Sequence, residues 1–170
     1  MKYQFYAIIF DVAGNQVNSK SISSPLSITS AIQLVTSLTV SPSAAQTKNV
    51  GQTFTITPTV SPSNANNKNV NWTSSNTNVA TVSKTTTASG TAVTITAKGK
   101  GTATITAMAA DGSGKKATCN VTVNQPVTGI SLSQTTAALA TGDTLNLTAT
   151  VIPSTANNKT VTWTSSNTNI

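Results

Sequence analysis

The chain has 170 residues, ten Lys against three Asp, no Arg, Glu or His, a single Cys, and a formal net charge of +7. That inventory excludes an intrachain disulfide and any nucleophile–base constellation using His, and it supplies no paired carboxylates for general acid–base chemistry. Hydrophobic residues make up 37% and charged residues 8%, with Thr, Ser, Asn and Val in excess, which points to an all-β chain with polar strand faces.

Residues 1–10 (MKYQFYAIIF) read as a strand rather than a signal peptide. Their apolar stretch is short, Asp11 interrupts it, and no small-x-small cleavage site follows promptly. No stretch approaches transmembrane length, so direct membrane insertion is not expected. Strands are expected where apolar and polar residues alternate between turn signals. Residues 37–40 form one, ended by Ser41-Pro42. Residues 53–60 form the next, with Phe54 and Ile56 in phase. A polar loop then carries Asn66, Asn67 and Lys68. Residues 70–72 belong to a third strand, with Trp72 pointing into the core. A short strand at 79–82 precedes longer ones at 91–97 and 102–109, which are separated by the turn at 98–101. Asp111-Gly-Ser-Gly114 is a hairpin turn rich in residues that tolerate positive φ. Residues 117–123 close the series. Their odd positions are apolar, so Cys119 points inward as a small buried hydrophobe rather than a reactive thiol.

The chain repeats itself. Residues 51–78 recur as residues 142–169, offset by roughly 91 positions, with roughly two-thirds of the residues identical. The segment opening with Val35-Thr-Ser-Leu matches the one opening with Val127-Thr-Gly-Ile. The repeated loop brings Asn157, Asn158 and Lys159 into line with Asn66, Asn67 and Lys68. It also places Trp163 where Trp72 stands, at an expected core position. The second copy reaches only the counterpart of Val79. Half a sandwich leaves its apolar face and strand edges uncovered, so something outside residues 127–170 is expected to complete it.

At these residues the chain resembles the bacterial Ig-like domain, group 2. The carriers are Val35-Thr-x-Leu-x-Val-Ser-Pro42, Gly51, Pro62-x-Asn-Ala-x-Asn-Lys68, Val70-x-Trp-x-Ser-Ser-Asn76 and Val79-Ala-Thr-Val82. Gly101-Thr-Ala-Thr-Ile-Thr-Ala107, Asp111-Gly-Ser-Gly114 and Cys119-x-Val-Thr-Val123 complete the set. One departure is the segment 85–97, which replaces a short Gly-containing turn and obscures the strands there. The resemblance implies an all-β, immunoglobulin-like β-sandwich in tandem copies. Residues 35–124 would be one complete domain, and 125–170 strands A–C of a second. Tyr3-x-Phe-x-Ala-x-Ile aligns with Ala103-x-Ile-x-Ala-x-Ala, and Asp11 aligns with Asp111. Residues 1–34 therefore look like the terminal F–G strands of an Ig-like or fibronectin type III-like unit plus a linker. The family also implies stalks and display modules of surface proteins, adhesins and phage virion parts. It has no shared catalytic residues.

Candidate sites are few. Asn66, Asn67 and Lys68, with Asn157, Asn158 and Lys159, are polar loop residues at domain tips, where a cell-surface glycan or host protein could bind. Turn chemistry alone also explains them. A calcium site needs several converging oxygen ligands, and Asp11, Asp111 and Asp143 supply about one carboxylate per copy. Gly99-Lys-Gly101 is too short for a phosphate loop. Scattered Lys with few aromatics make no nucleic-acid platform. The expectation is a chain that is not an enzyme and takes no cofactor or metal. It is expected to be a stalk, adhesion or display module of a bacterial surface or extracellular protein, partnered by neighbouring Ig-like domains or identical subunits. Two alternatives stand beside it. One is a virion component. The other is a filament subunit in which residues 1–30 of one copy complete residues 127–170 of the next.

Overall fold

A computed structural model describes residues 9–10, 13, 16–17 and 31–168. The chain divides into two compact units, Met1–Ile32 and Gln33–Ile170. In the first unit, β1 (Ile9–Phe10) pairs antiparallel with β2 (Gln16–Val17), Ile9 opposite Val17 and Phe10 opposite Gln16. The alignment of Asp11 with Asp111 lies outside the described residues.

The second unit holds the sandwich. Its strands are β3 (Ser37–Ser41), β4 (Gln46–Asn49), β5 (Thr53–Ser61), β6 (Asn69–Ser74), β7 (Ala80–Val82), β8 (Thr86–Ala88), β9 (Val93–Ala97), β10 (Gly101–Ala109) and β11 (Lys116–Asn124). One sheet runs β3-β5-β9-β7 and the other β4-β11-β10-β6-β8. Period-2 patterning decides what each strand hides. On β10, Ala103, Ile105, Ala107 and Ala109 are buried while Thr102 and Met108 are exposed. On β11, Cys119, Val121 and Val123 face inward. Ile56, Val93 and Ile95 come from the other sheet. Each such Ile or Val contributes about 1.5–3 kcal/mol by leaving water. The outer faces are largely Thr: Thr53 lies opposite Thr96, Thr55 opposite Thr94, and Thr106 opposite both Thr118 and Thr73. The β-branched excess in the composition is therefore spent on the solvent faces of the sheets.

Two strands escaped the sequence reading. β4 pairs parallel with β11, Gln46 opposite Val121 through Asn49 opposite Asn124. Its residues, Gln-Thr-Lys-Asn, carry no apolar alternation because it is an edge strand with neither face fully buried. β8 pairs with β6 and lies in the segment that departs from the family pattern. Pro58 stands within β5, where a missing N–H should cost a ladder bond. The β5–β9 ladder runs only from Thr53 to Ile56. Beyond it Val60 donates its N–H to Ser89 Oγ, and Gly90 donates to the Pro58 carbonyl. Since i and i+2 face the same way, the Pro58 nitrogen points past the end of β9 and no ladder bond is lost.

The second copy forms less. β12 (Gly129–Leu132) and β13 (Ala149–Ile152) pair antiparallel. The third expected strand, around Trp163, is not formed, and Trp163 is 52% exposed. This corrects its expected core position. Trp72 is buried in a core drawn from both sheets, with β8 and β10 pairing on either side of its strand. No described residue of the second copy stands in the corresponding places, so the strand has no ladder and the indole no cover.

Candidate functional site

The repeated loop is the natural place to look, because it sits at a sandwich tip and is polar in both copies. Its geometry is fixed from within. Pro62 begins the turn, and Ala65, buried, donates its N–H back to the Pro62 carbonyl. Asn66 and Gln33 form a two-bond pair: Gln33 N–H donates to Asn66 Oδ1 at 2.6 Å, and Asn66 N–H donates to the Gln33 carbonyl at 2.9 Å. Asn67 Oδ1 accepts from the Asn69 N–H, and its Nδ2 donates to the Ala110 carbonyl. Lys68 Nζ donates to the Ser63 carbonyl at 3.0 Å. Asn66, Asn67 and Lys68 thus lie together in one loop, and each is already engaged by the sandwich itself. Asn and short loop carbonyls suit this work because an Asn side chain mimics a backbone amide.

The second copy repeats the construction. Gln125 N–H donates to Asn157 Oδ1 at 2.6 Å, and Asn157 N–H donates to the Gln125 carbonyl at 2.9 Å. Ala156 is buried and bonds Pro153. Asn158 Oδ1 accepts from Thr160 N–H. Asn157 Nδ2 also reaches Asn124 Oδ1 at 3.3 Å, and Lys100 Nζ donates to the Thr155 carbonyl at 3.3 Å. These last two bonds cross from the complete sandwich to the second copy. Lys159 is exposed.

The chemistry-bearing groups elsewhere are structural. Asp111 Oδ2 accepts from Val35 N–H at 2.6 Å, and Oδ1 from Ser113 N–H at 3.0 Å. The Ser113 side chain and the Val35 amide hold its carboxyl below the ordinary value. Burial pushes the Cys119 thiol up, and its Sγ lies 3.5 Å from the Ala44 carbonyl. A thiol in that state is a poor nucleophile. Among the described residues no group of three or more His, Cys, Asp or Glu could hold a metal. No helix there is long and apolar enough to cross a membrane. Gln33, Gln125 and Thr87 carry no candidate-site mark in the sequence, and Lys100 stands there only within the dismissed Gly99-Lys-Gly101 turn. For the two Gln a signal existed: each stands two residues before the Val that opens its copy.

Two sheets of mainly antiparallel strands, one closed at its edge by the parallel pair β4–β11, define an immunoglobulin-like sandwich. The profile of the bacterial Ig-like domain (group 2) matches residues 34–121 and again 126–170, and the chain belongs to that family. A comparison with curated proteins gives no match. Among solved structures, the chain is similar to the surface layer protein SbsC, domains 1–6, at 24% identity and a TM-score of 0.45, over 59% of this chain and 14% of that one. SbsC domains 5–6 give 25% identity and a TM-score of 0.44, over 59% of this chain and 50% of that one. SbsC domains 4 and 5 give 27% and 0.41, over 53% and 52%. The chain thus spans about half or less of the length of these structures.

Proposed function

We propose that the chain is a non-enzymatic spacer: a stalk or display segment of a bacterial surface or extracellular protein, working by keeping its two ends apart. One observation carries this reading. β4 and β11, near the start and at the end of the sandwich, lie side by side and parallel. Tension applied through Gln33 and Asn124 pulls β4 backward and β11 forward along their common axis. Every bond between them is then loaded together, in shear, rather than opened one at a time. Membership in a bacterial Ig-like family supports a structural role. The loop residues Asn66, Asn67 and Lys68, engaged within the domain, favour a spacer over a glycan- or host-protein-binding tip. Protease treatment of intact cells tests the location. Release of peptides from this chain supports the surface reading. Peptides found only after lysis, or only with purified virus particles, overturn it.

A second reading is favoured by one feature of the second copy. Ile130, Leu132, Leu145, Leu147, Ile152 and Trp163 are all substantially exposed. Such a set needs cover, and residues 1–30 of another copy are a candidate strand donor. Sedimentation of the purified chain decides: long polymers, dissolved by Trp163→Asp, support head-to-tail assembly. A 17.3 kDa monomer rejects it.

A further inference from the structure

The bonds that cross between the two copies gather around one side chain. We propose that Asn157 is a latch residue, and that the pole of the complete sandwich formed by Lys100 and Asn124 is a docking surface for the repeated loop of the Ig-like copy that follows it. The latch fixes the angle between consecutive copies. The inference rests on the spacer reading, because a fixed angle is what lets tandem domains act as a rod.

Four observations carry it. Asn157 grips the entry of its own copy, N–H to the Gln125 carbonyl and Oδ1 from the Gln125 N–H, and reaches across the joint with Nδ2 to Asn124 Oδ1. Lys100, on the turn before β10, adds a bond to the Thr155 carbonyl in the same loop. Ala156, beside Asn157, is the sole buried residue from 126 to 168. Finally, the connection from β11 to β12 is residues 125–128, and Pro126 fixes its own φ and holds Gln125 extended.

The other end of the complete sandwich shows which part of the latch is specific. Gln33 and Asn66 make the same two-bond pair, over a buried Ala65. Ile32 stands where Asn124 stands before Gln125, and an isoleucine accepts no hydrogen bond. Leu34 replaces Pro126. Gripping the preceding residue is thus common to both copies. The side-chain bond to Asn124 has no counterpart in the side chain of Ile32.

Amide hydrogen exchange on the full chain, read residue by residue by NMR, tests the latch. Gln125 N–H is expected to be protected, and Asn157→Ala to speed its exchange by roughly fivefold, the equivalent of one net hydrogen bond. Gln33 and the β10 amides, reporting an intact sandwich, stay as they are. Asn157→Asp restores the protection of Gln125, since the carboxylate still accepts from its N–H. Residual dipolar couplings then report the angle. One alignment tensor fits β10, β11, β12 and β13 in the parent, and two are required in Asn157→Ala. An unprotected Gln125 in the parent, an unchanged rate in Asn157→Ala, or separate tensors in the parent would each overturn the latch. None of these outcomes bears on whether proteases reach the chain on intact cells, so the spacer reading stands or falls separately.

Discussion

Trp72 donates its indole N–H to Thr87 Oγ1 at 2.9 Å, joining β6 to β8 inside the core. Among the described residues Thr87 is the one buried polar side chain besides this indole, at 6% exposure. The pair explains how an aromatic with a polar handle sits buried in the sandwich. Thr87→Val keeps the shape and removes the acceptor, leaving a buried donor unpaired. It should lower unfolding stability by about 1–3 kcal/mol in a urea titration. Thr87→Ser, which keeps the hydroxyl, should lose less. Equal losses for the two would show that the methyl packing, not the bond, matters.

Asp111 ties the last hairpin to the entry of β3 through Val35. Its carboxyl is held below the ordinary 3.8, chiefly by the Ser113 side chain and then by the Val35 amide. A depressed carboxyl binds protons less readily in the folded chain than in the unfolded one. Its contribution to stability is therefore complete above the unfolded value and is lost as pH falls through the folded one. The chain has no His to add a transition near neutrality. Melting temperature should stay flat from neutral pH down to the ordinary carboxyl range and fall below it. Asp111→Asn should melt lower at neutral pH and lose most of the acid slope. A slope unchanged in that variant would assign the acid sensitivity to another group.

The sandwich was legible in the sequence because its buried strands alternate cleanly. Ala103, Ile105 and Ala107 on β10, and Cys119, Val121 and Val123 on β11, declare both period and facing. The repeat declared the domain length. β4 was not legible, since an edge strand of Gln, Thr, Lys and Asn has no buried face to leave a pattern. Trp163 shows the opposite error. Its local sequence matches Trp72, but burial belongs to the strands that pack on a side chain, and those strands are not local. The loop residues Asn66 and Asn157 were visible as candidates because they are polar and repeated. That their partners are Gln33 and Gln125, some thirty positions away, is a tertiary fact with no short-range signature.

The turn before β10 leaves little room at two glycines. A Cβ on Gly99 would meet the Asn78 carbonyl oxygen at 2.7 Å, and one on Gly101 would meet Val79 Cγ2 at 2.8 Å, where φ is +145°. Both need local rearrangement, and Gly101 also lies in backbone space that L side chains rarely adopt. Gly99→Ala and Gly101→Ala should each cost about 1–3 kcal/mol. Gly112, at φ +84° with nothing near its Cβ position, carries only the backbone penalty, so Gly112→Ala should cost less, about 1 kcal/mol. Chemical denaturation of the three variants checks the order. A Gly112 variant as damaged as the Gly101 one would mean that crowding against Val79 is not what the turn avoids.

The parallel pair β4–β11 should decide how the sandwich resists force. Val50 donates its N–H to the Asn124 carbonyl, whereas Asn49 donates to Gln52 Oε1 within its own turn. Alternation along the strand then turns the Lys48 N–H toward β11 and the Thr47 N–H away from it. Proline at 48 removes a bond that shear would load, and proline at 47 removes none. Lys48 also places its ammonium 5.5 Å from the centroid of the Phe54 ring, so Lys48→Ala is the control for that contact. In single-molecule pulling through the chain ends, Lys48→Pro should lower the unfolding force well below the parent. Thr47→Pro and Lys48→Ala should stay near it. Similar forces for the two prolines would place the mechanical barrier elsewhere in the sandwich and remove the observation on which the spacer reading rests.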